Sequence, residues 1–434
     1  MQAETSERDI RRSYALGVFN GAAFHFASRL IDPPLVLAWF VSQLTTSNVL
    51  IGLVTPLGQA SWALPQVFVS NRIQQMEHKM PAYRLAAGIR VGAWLLLSAM
   101  VWLTDKPSLL LVAFFFLYGI AWVAAGLGGI SFFDILAKTI PAWRRGSLFS
   151  RRQFLGGLLG LGAGWIVKVV LTHPGLSFPR GHAMLFLLYA VVIMPTMGAF
   201  LAIREPAGKA CSQAVSLRDQ FERGGQIVRA DSVYRRYIGA RLAVSMAGMA
   251  LPFYGIFAKN TLNAPEAMVG IYVTVRVGAQ LLCNLLWGRV SDRRGNQLIL
   301  RLLCIGLSGT ALLALILVVL ARALHLQGDW LPYLAFPLFI FDGAILPAKV
   351  LSGANFLMEL VPEAERPLYI GLSNTLIGVV VLVSGLGGVL VDLAGFELLF
   401  ATAVGFGLIG YHLASQLPEP REERRSEVEP DSSA

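Results

Sequence analysis

The chain consists of long apolar runs separated by short polar segments. Each run is long enough for a helix, rising about 1.5 Å per residue, to cross a hydrocarbon core of roughly 30 Å. Continuous runs favour helices over barrel strands, which would alternate in polarity over roughly ten residues. The pattern therefore predicts an all-α polytopic membrane protein. We place twelve spans at 14–42, 48–70, 83–104, 107–137, 150–171, 183–203, 237–258, 265–287, 297–321, 330–358, 368–390 and 394–416.

Charge sets the expected orientation, because Lys and Arg concentrate in cytoplasmic loops of membrane proteins. The chain has 36 Lys and Arg against 26 Asp and Glu. With the amino terminus inside, only four of these basic residues fall in outer loops: Lys106, Arg180, Lys259 and Arg322. We expect a multi-pass protein of the cytoplasmic (inner) membrane with both termini cytoplasmic. The positive excess then faces the lipid bilayer's inner leaflet, so no nucleic-acid partner is needed to explain it.

A long polar stretch divides the predicted spans into two sets of six. We predict an amino-terminal six-helix bundle with a short cytoplasmic tail over 1–203 and a cytoplasmic linker over 204–236. A carboxyl-terminal bundle follows over 237–416. The charged, proline-rich segment 417–434 is predicted to be a disordered cytoplasmic tail.

The two sets of spans carry an internal repeat at a spacing of 221 residues. Repeats of this kind indicate duplicated structural units. The spacing therefore predicts two pseudo-symmetric bundles in parallel orientation, although spans 1 and 7 show no convincing match. The matched positions are Ser70-Asn71-Arg72 with Ser291-Asp292-Arg293, Asp134 with Asn355, Arg145 with Arg366, and Gln59 with Gln280.

The loop between spans 8 and 9 reads GRVSDRRGNQ, residues 288–297. Gly288, Asp292, Arg293 and Gly295 resemble the G-x-x-x-D-R-x-G signature of the major facilitator superfamily. Together with the twelve spans and the repeat, the resemblance covers the whole chain. It implies a twelve-helix, two-bundle transporter fold in which such loops act in gating.

Each signature residue also has a physical interpretation. Gly288 would let two helices approach closely, and Gly295 would allow a tight turn into span 9. Asp292 would bind a neighbouring helix N-terminus or an arginine. A basic loop that only sets topology is the alternative.

The copy of the signature between spans 2 and 3 is weaker. It keeps Arg72 but has Asn71 where the family has aspartate, so gating is expected to depend more on the carboxyl half. We include Asp134, Arg145 and Arg366 in the gating set. For the basic loop between spans 4 and 5, inner-leaflet anchoring is an equal alternative.

Ionisable residues lie inside several predicted spans. Such a residue costs about 2.5–3.5 kcal/mol at the bilayer centre, so it should face protein or a water-filled cavity. His25, Arg29 and Asp32 share one helical face in span 1. For Asp32, which precedes Pro33, a helix cap is an equal alternative, and a structural pair with Arg29 and a packing role for His25 stay open.

Two further spans carry polar stripes. Span 8 has Arg276, Gln280 and Asn284, and span 10 has Asp342 and Lys349. The family resemblance implies that spans 1, 4, 7 and 10 line a central cavity with spans 2, 5, 8 and 11 beside them. We predict that these residues, with Gln59, line a substrate or proton pathway; buried structural pairing is the alternative.

Other features of the spans have plainer interpretations. Arg90, Lys168 and Arg241 are placed nearer span ends and are expected to snorkel to the interface. The glycines of span 5, residues 156–164, predict a closely packed helix.

These features together predict a monomeric secondary active transporter that moves a small solute by alternating access, with no cofactor, metal or enzymatic activity. No nucleotide-binding sequence is present, so ATP-driven transport is unsupported. Basic residues outnumber acidic ones within the deep spans, which favours an anionic or zwitterionic substrate. If protons are coupled to transport, Asp342, Asp32 and His25 are the candidate sites. The alternatives are a receptor or scaffold without transport, a lipid or lysolipid translocator and, least favoured, a membrane-embedded lipid enzyme.

Overall fold

A computed structural model describes residues 7–208, 217–361 and 365–419. Within these ranges the regular secondary structure is helical and contains no strand. Nine of the helical stretches there are long and apolar enough to cross a membrane. The architecture is therefore that of an all-α polytopic membrane protein, as predicted.

The amino half contains the helices of the first six predicted spans, of which the last four are among these nine. The first span is interrupted, because a π-helical segment, Pro33–Leu37, separates its two parts. The helices are α1 Glu7–Leu30, α2 Ala38–Leu44, α3 Asn48–Gln74, α4 Met80–Leu103, α5 Pro107–Thr139, α6 Ala142–Leu171 and α7 Arg180–Leu201.

The carboxyl half contains the helices of the remaining predicted spans, of which five are among the nine. The helix Gly387–Ser415 bends at Ala394 and Gly395, where Gly395 has a φ of 76°, so its first two turns continue span 11. The helices are α8 Leu217–Ala230, α9 Ser232–Ala247, α10 Leu251–Asn260, α11 Ala267–Arg294, α12 Asn296–Ala323, α13 Phe336–Val350, α14 Phe356–Leu360, α15 Arg366–Ser384 and α16 Gly387–Ser415.

The same arginine contact recurs in both halves. Arg145 Nε donates to the carbonyl oxygen of Ile140 at 2.9 Å, just after α5 ends. Arg366 Nε donates to the carbonyl oxygen of Val361 at 3.1 Å, just after α14 ends. Donor and acceptor are each 221 residues apart, so the structure confirms the repeat at these positions. Both arginines satisfy carbonyls that the helix end leaves without a partner.

A glutamate just beyond the end of each half caps the third span of that half. Glu205 accepts backbone hydrogen bonds from Lys79 (2.8 Å) and Met80 (2.7 Å) where α4 begins. Glu419 accepts one from Gln297 (3.1 Å) in the first turn of α12. Carboxylates are stabilised at helix N-termini by free N–H groups and by the helix dipole.

Two predicted boundaries are corrected by these contacts. The tail was expected to be disordered from residue 417, but 417–419 are packed, because Leu417 is buried and Glu419 caps α12. Residues 420–434 lie outside the described residues, as do 209–216 of the linker. The rest of the predicted linker is largely helical, since it contains α8 and the first turn of α9.

Glycines bring the two halves into close contact. A Cβ at Gly164 in α6 would lie 2.6 Å from the carbonyl oxygen of Gly270 in α11. A Cβ at Gly160 would lie 3.3 Å from side-chain atoms of Arg29 and Val277. The close packing predicted for span 5 is confirmed at these positions. Gly162 is the exception, because a Cβ there would meet nothing within 4 Å.

Candidate functional site

A cavity of about 290 Å³ lies between the two halves. Its walls come from α1, α3 and α5 on one side and from α9 to α13 on the other. Leu303 and Leu307 of α12 also line it, although span 9 was not expected to contribute. Five charged side chains line the cavity: Arg29, Asp32, Arg276, Asp342 and Lys349.

Arg276 joins the two halves through a buried ion pair. Its Nη1 lies 2.7 Å from Asp32 Oδ2, and its Nε donates to Asp342 Oδ2. The side chains of Arg276, Asp32 and Asp342 are all at least nine-tenths buried. One guanidinium therefore holds a carboxylate from each half, which is the bonding that a buried charge requires.

Arg29 makes a second link across the interface. Its Nη1 lies 3.2 Å from Asp32 Oδ2, and its Nη2 donates to Gln280 Oε1 at 2.6 Å. Asp32 Oδ2 is thus shared by two arginines. The other oxygen, Asp32 Oδ1, is buried and has no hydrogen-bond partner among the described residues.

The break after α1 presents Asp32 to these arginines. Pro33 and Pro34 have no N–H to donate, so a continuous α-helix cannot be bonded here. The carbonyl oxygen of Asp32 instead accepts from Val36 N at 2.8 Å and Leu37 N at 3.2 Å. Asp32 does occupy a cap position, but its side chain makes no capping hydrogen bond.

Lys349 completes the charged set. Its half-buried side chain lines the cavity, and its backbone carbonyl oxygen accepts from Arg241 Nη1 at 3.2 Å. No carboxylate lies within ion-pair distance of its ammonium in the part of the chain that the structure describes. With Arg29 and Arg276 as the other cations and two carboxylates, the cavity lining carries one excess positive charge.

The other predicted pathway residues divide into two groups. His25 and Gln59 line the same cavity. Asn284 is half-buried but does not belong to the described cavity lining. It lies two turns beyond Arg276 on α11, so the polar stripe extends further toward the α11 carboxyl end than the cavity does.

Arg90 is the clearest correction. It was expected to snorkel from a span end, but it is buried and its Nε donates to Tyr189 Oη at 2.9 Å. Its guanidinium carbon lies 5.0 Å from the Phe24 ring centroid and 5.7 Å from that of Trp122. The depth of Arg90 in α4 could have predicted this burial from the sequence. A residue ten positions after Met80 lies about 15 Å into the helix.

Arg152 and Arg241 are further interior cations. Arg152 is buried, donates to Asn20 Oδ1 at 3.3 Å and lies 4.6 Å from the Phe132 ring centroid. Arg241 is half-buried beside Lys349, which contradicts the predicted snorkelling. Lys168 has an exposed side chain, as snorkelling requires.

The signature loop matches its prediction only in part. Gly295 has a φ of 81°, which favours glycine and confirms the tight turn between α11 and α12. Asp292 and Arg293 are exposed at the end of α11. The predicted close helix contact at Gly288 is wrong, because a Cβ there would meet nothing within 4 Å.

The remaining gating candidates lie at the ends of helices. Arg72 is exposed, and the Asn71 side chain lies outside the described residues. Asp134 pairs with Lys79 at 2.7 Å and Lys138 at 2.8 Å, both in the amino half. Arg145 and Arg366 bind the carbonyls already described. Whether any of them gates transport stays a prediction.

A polar cluster joins the halves at the opposite end of the helices. Gln43 Nε2 donates to Glu266 Oε1 at 3.1 Å, and Lys259 Nζ donates to Ser42 Oγ at 2.8 Å. Glu266 Oε1 also lies 3.7 Å from Nδ1 of the fully buried His182. Burial raises the pKa of Glu266, while Gln43 and Lys259 act to lower it. No sequence pattern predicted this cluster, since its members come from three segments that lie far apart along the chain.

Comparison with known proteins identifies the carboxyl half most directly. Residues 237–433 match the family model described as Major Facilitator Superfamily. Among curated proteins, the chain is 23% identical to uncharacterized proteins of Mycobacterium tuberculosis and Mycobacterium bovis over 275 residues. The match covers 62% of this chain, and the chain spans about half the length of these relatives (51%).

Solved structures share the fold over nearly the whole chain. A D-xylose–proton symporter superposes with a TM-score of 0.70 at 16% identity, covering 95% of this chain and 99% of its own. A nucleoside transporter gives 0.67 at 14% identity, covering 93% and 98%. A bacterial homologue of the iron transporter ferroportin gives 0.66 at 13% identity, covering 95% and 99%.

Proposed function

We propose that the chain is a secondary active transporter of the major facilitator superfamily, whose family model matches residues 237–433, and that it moves a small solute through the cavity between its halves. The two halves, 1–203 and 237–416, would rock about this cavity and expose it to one side of the membrane at a time. Both termini would lie in the cytoplasm, and one copy of the chain in the inner membrane would suffice. Transport of this kind needs no covalent chemistry.

The observation that carries the proposal is the link from Arg276 to Asp32 and Asp342. Charged groups this deep in a membrane protein are costly and usually mark substrate or ion pathways. Here they also bridge two halves that must move relative to each other. A change in the charge of either carboxylate would change how strongly the halves are joined.

Protons are the coupling ion that this arrangement supports best. Protonation of Asp32 or Asp342 would remove one of the two carboxylates that hold Arg276 and so free the guanidinium to move. Asp32 Oδ1 is a suitable acceptor, because it has no partner in the described part of the chain.

The test is transport by the purified chain in proteoliposomes. Uptake and counterflow are measured for sugars, nucleosides, amino acids, organic anions and organic cations, each with and without a pH gradient. We expect one class to accumulate in a gradient-dependent manner, and the Arg276→Gln variant to lose this accumulation. Failure of every solute to move would contradict transport and favour a receptor or scaffold, whereas movement of labelled lysolipid alone would favour a lipid translocator.

A further inference from the structure

We propose that the substrate is a small organic anion with an apolar body, and that Lys349 binds its anionic group. The inference rests on the proposed transport through the same cavity. It adds the substrate's charge, its shape and the residue that recognises it. Three features of the described residues lead to it: the bonding of each charged group, the surrounding charges and the composition of the walls.

The first feature is that Lys349, unlike the other cations of the cavity, forms no ion pair with a carboxylate of the described residues. Arg276 binds both Asp32 and Asp342, and Arg29 binds Asp32 and Gln280. The two carboxylates are therefore engaged by the two arginines. Lys349 lines the cavity, and its ammonium has no ion-pair partner among the described residues. An anion in the cavity would supply that partner.

The second feature is a surplus of cations behind the cavity walls. Arg90, Arg152 and Arg241 have a tyrosine hydroxyl, an amide oxygen and a backbone carbonyl oxygen as hydrogen-bond acceptors. No carboxylate lies within ion-pair distance of these three guanidinium groups in the described ranges. A cavity surrounded by cations in a low-dielectric medium concentrates anions and repels cations.

The third feature is the composition of the walls. Phe24, Tyr118 and Trp122 form an aromatic side contributed by the amino half. Val244, Leu251 and Ile345 are among the aliphatic residues that the carboxyl half places opposite. The volume of about 290 Å³ is close to the lower end of the roughly 300–1,000 Å³ range of small-molecule sites. The walls therefore fit a compact apolar or aromatic body rather than a chain-length lipid.

Charge compensation gives this site a role in the transport cycle. The empty cavity lining carries one net positive charge, which is costly to enclose within the membrane. A bound monoanion reduces that net charge to zero. The loaded carrier can then enclose its cavity at a lower cost than the empty one, so that an anion is carried rather than merely bound.

Binding to the purified full-length chain tests the inference directly. The probes are benzoate, phenylacetate and 1-naphthoate, each paired with its amide and with the amine of the same carbon skeleton. Binding is measured as the rise in Tm with probe concentration. We expect carboxylates to raise Tm, and amides and amines of equal shape to leave it unchanged. Lys349→Met should weaken carboxylate binding roughly tenfold or more, the loss expected for a charge-assisted contact.

Two further variants separate recognition from folding. Lys349→Arg keeps the charge and should retain most of the binding. Lys168→Met removes a lysine from a span without touching the cavity and should bind as the unaltered chain does. If Lys349→Met fails to fold, the comparison of carboxylates with amides on the unaltered chain still tests whether the cavity binds anions selectively.

The inference is overturned if amines or amides bind at least as well as carboxylates, or if Lys349→Met binds carboxylates unchanged. A sugar or a cation that is transported in an Arg276-dependent manner would also overturn it, while leaving the proposed transport function intact. Absence of all transport in proteoliposomes would instead count against the proposed function itself.

Discussion

Arg276 of the carboxyl half binds Asp32 of the amino half at 2.7 Å inside the membrane. Asp32 stands at the break that follows α1, and Arg276 lies within the continuous helix α11. The contact therefore connects the break in the first span of one half to a continuous helix of the other. Asp342, which shares Arg276, makes the strength of this connection dependent on two carboxylates.

Replacing Asp342 by asparagine is expected to uncouple transport from the pH gradient. Asp342→Asn fixes the neutral state, so proton release can no longer drive the cycle, while solute-for-solute exchange continues. Accumulation with a pH gradient and exchange without one are measured in proteoliposomes. Asp32→Asn is the matched variant on the other half. If Asp342→Asn accumulates solute like the unaltered protein, Asp342 is not the proton site.

Removing Arg276 alone should destabilise the protein more than removing it together with Asp342. Arg276→Gln leaves the buried Asp342 carboxylate without a cation, while Asp32 keeps Arg29. Breaking a buried pair in this way costs about 3–5 kcal/mol. Adding Asp342→Asn removes the uncompensated charge and should restore most of the stability. Tm in detergent measures both variants. Equal loss in the single and double variants would mean that side-chain packing, not charge, dominates at this site.

The cluster around Glu266 is expected to make the contact between the halves at this end of the helices depend on pH. Because the pKa of Glu266 is raised where it is buried, its neutral form favours the joined state. That contribution is present at low pH and is lost as the pH rises through the raised pKa. Separation of spin labels at Thr46 and Asn263 should therefore increase with pH.

Glu266→Gln provides the control, since it mimics the neutral carboxyl and should hold the label distance constant over the same pH range. Lys259 and His182 also face this carboxylate. A pH response that persists in Glu266→Gln would assign the effect to one of them.

The crossing of α6 and α11 should not tolerate a side chain. Gly164→Ala places a Cβ within 2.6 Å of the Gly270 carbonyl oxygen, so the helices must separate. We expect lower Tm and strongly reduced transport. Gly162→Ala is the matched control on the same helix, because a Cβ there meets nothing within 4 Å. Similar behaviour of the two variants would show that helix flexibility, rather than the helix crossing, matters at these positions.

The sequence by itself determined the helical membrane architecture and the repeat. Crossing a hydrocarbon core imposes a length and polarity that each segment must satisfy alone, so apolar runs predict helices without knowledge of their neighbours. The turn at Gly295 could likewise be predicted from the local sequence, since a positive φ favours glycine. The charged stripe in α1 could be placed on one helical face from spacing alone.

Only the tertiary structure decided which charges meet. Arg276 pairs with Asp32 across 244 residues of chain, and Glu266 approaches His182 from the other half. Arg90 is enclosed by aromatic rings of three other helices. Periodicity fixes the face on which a residue lies, but not the helix that this face contacts. Lys349 acquires its distinct role for the same reason: its free charge is a property of how the helices pack around it.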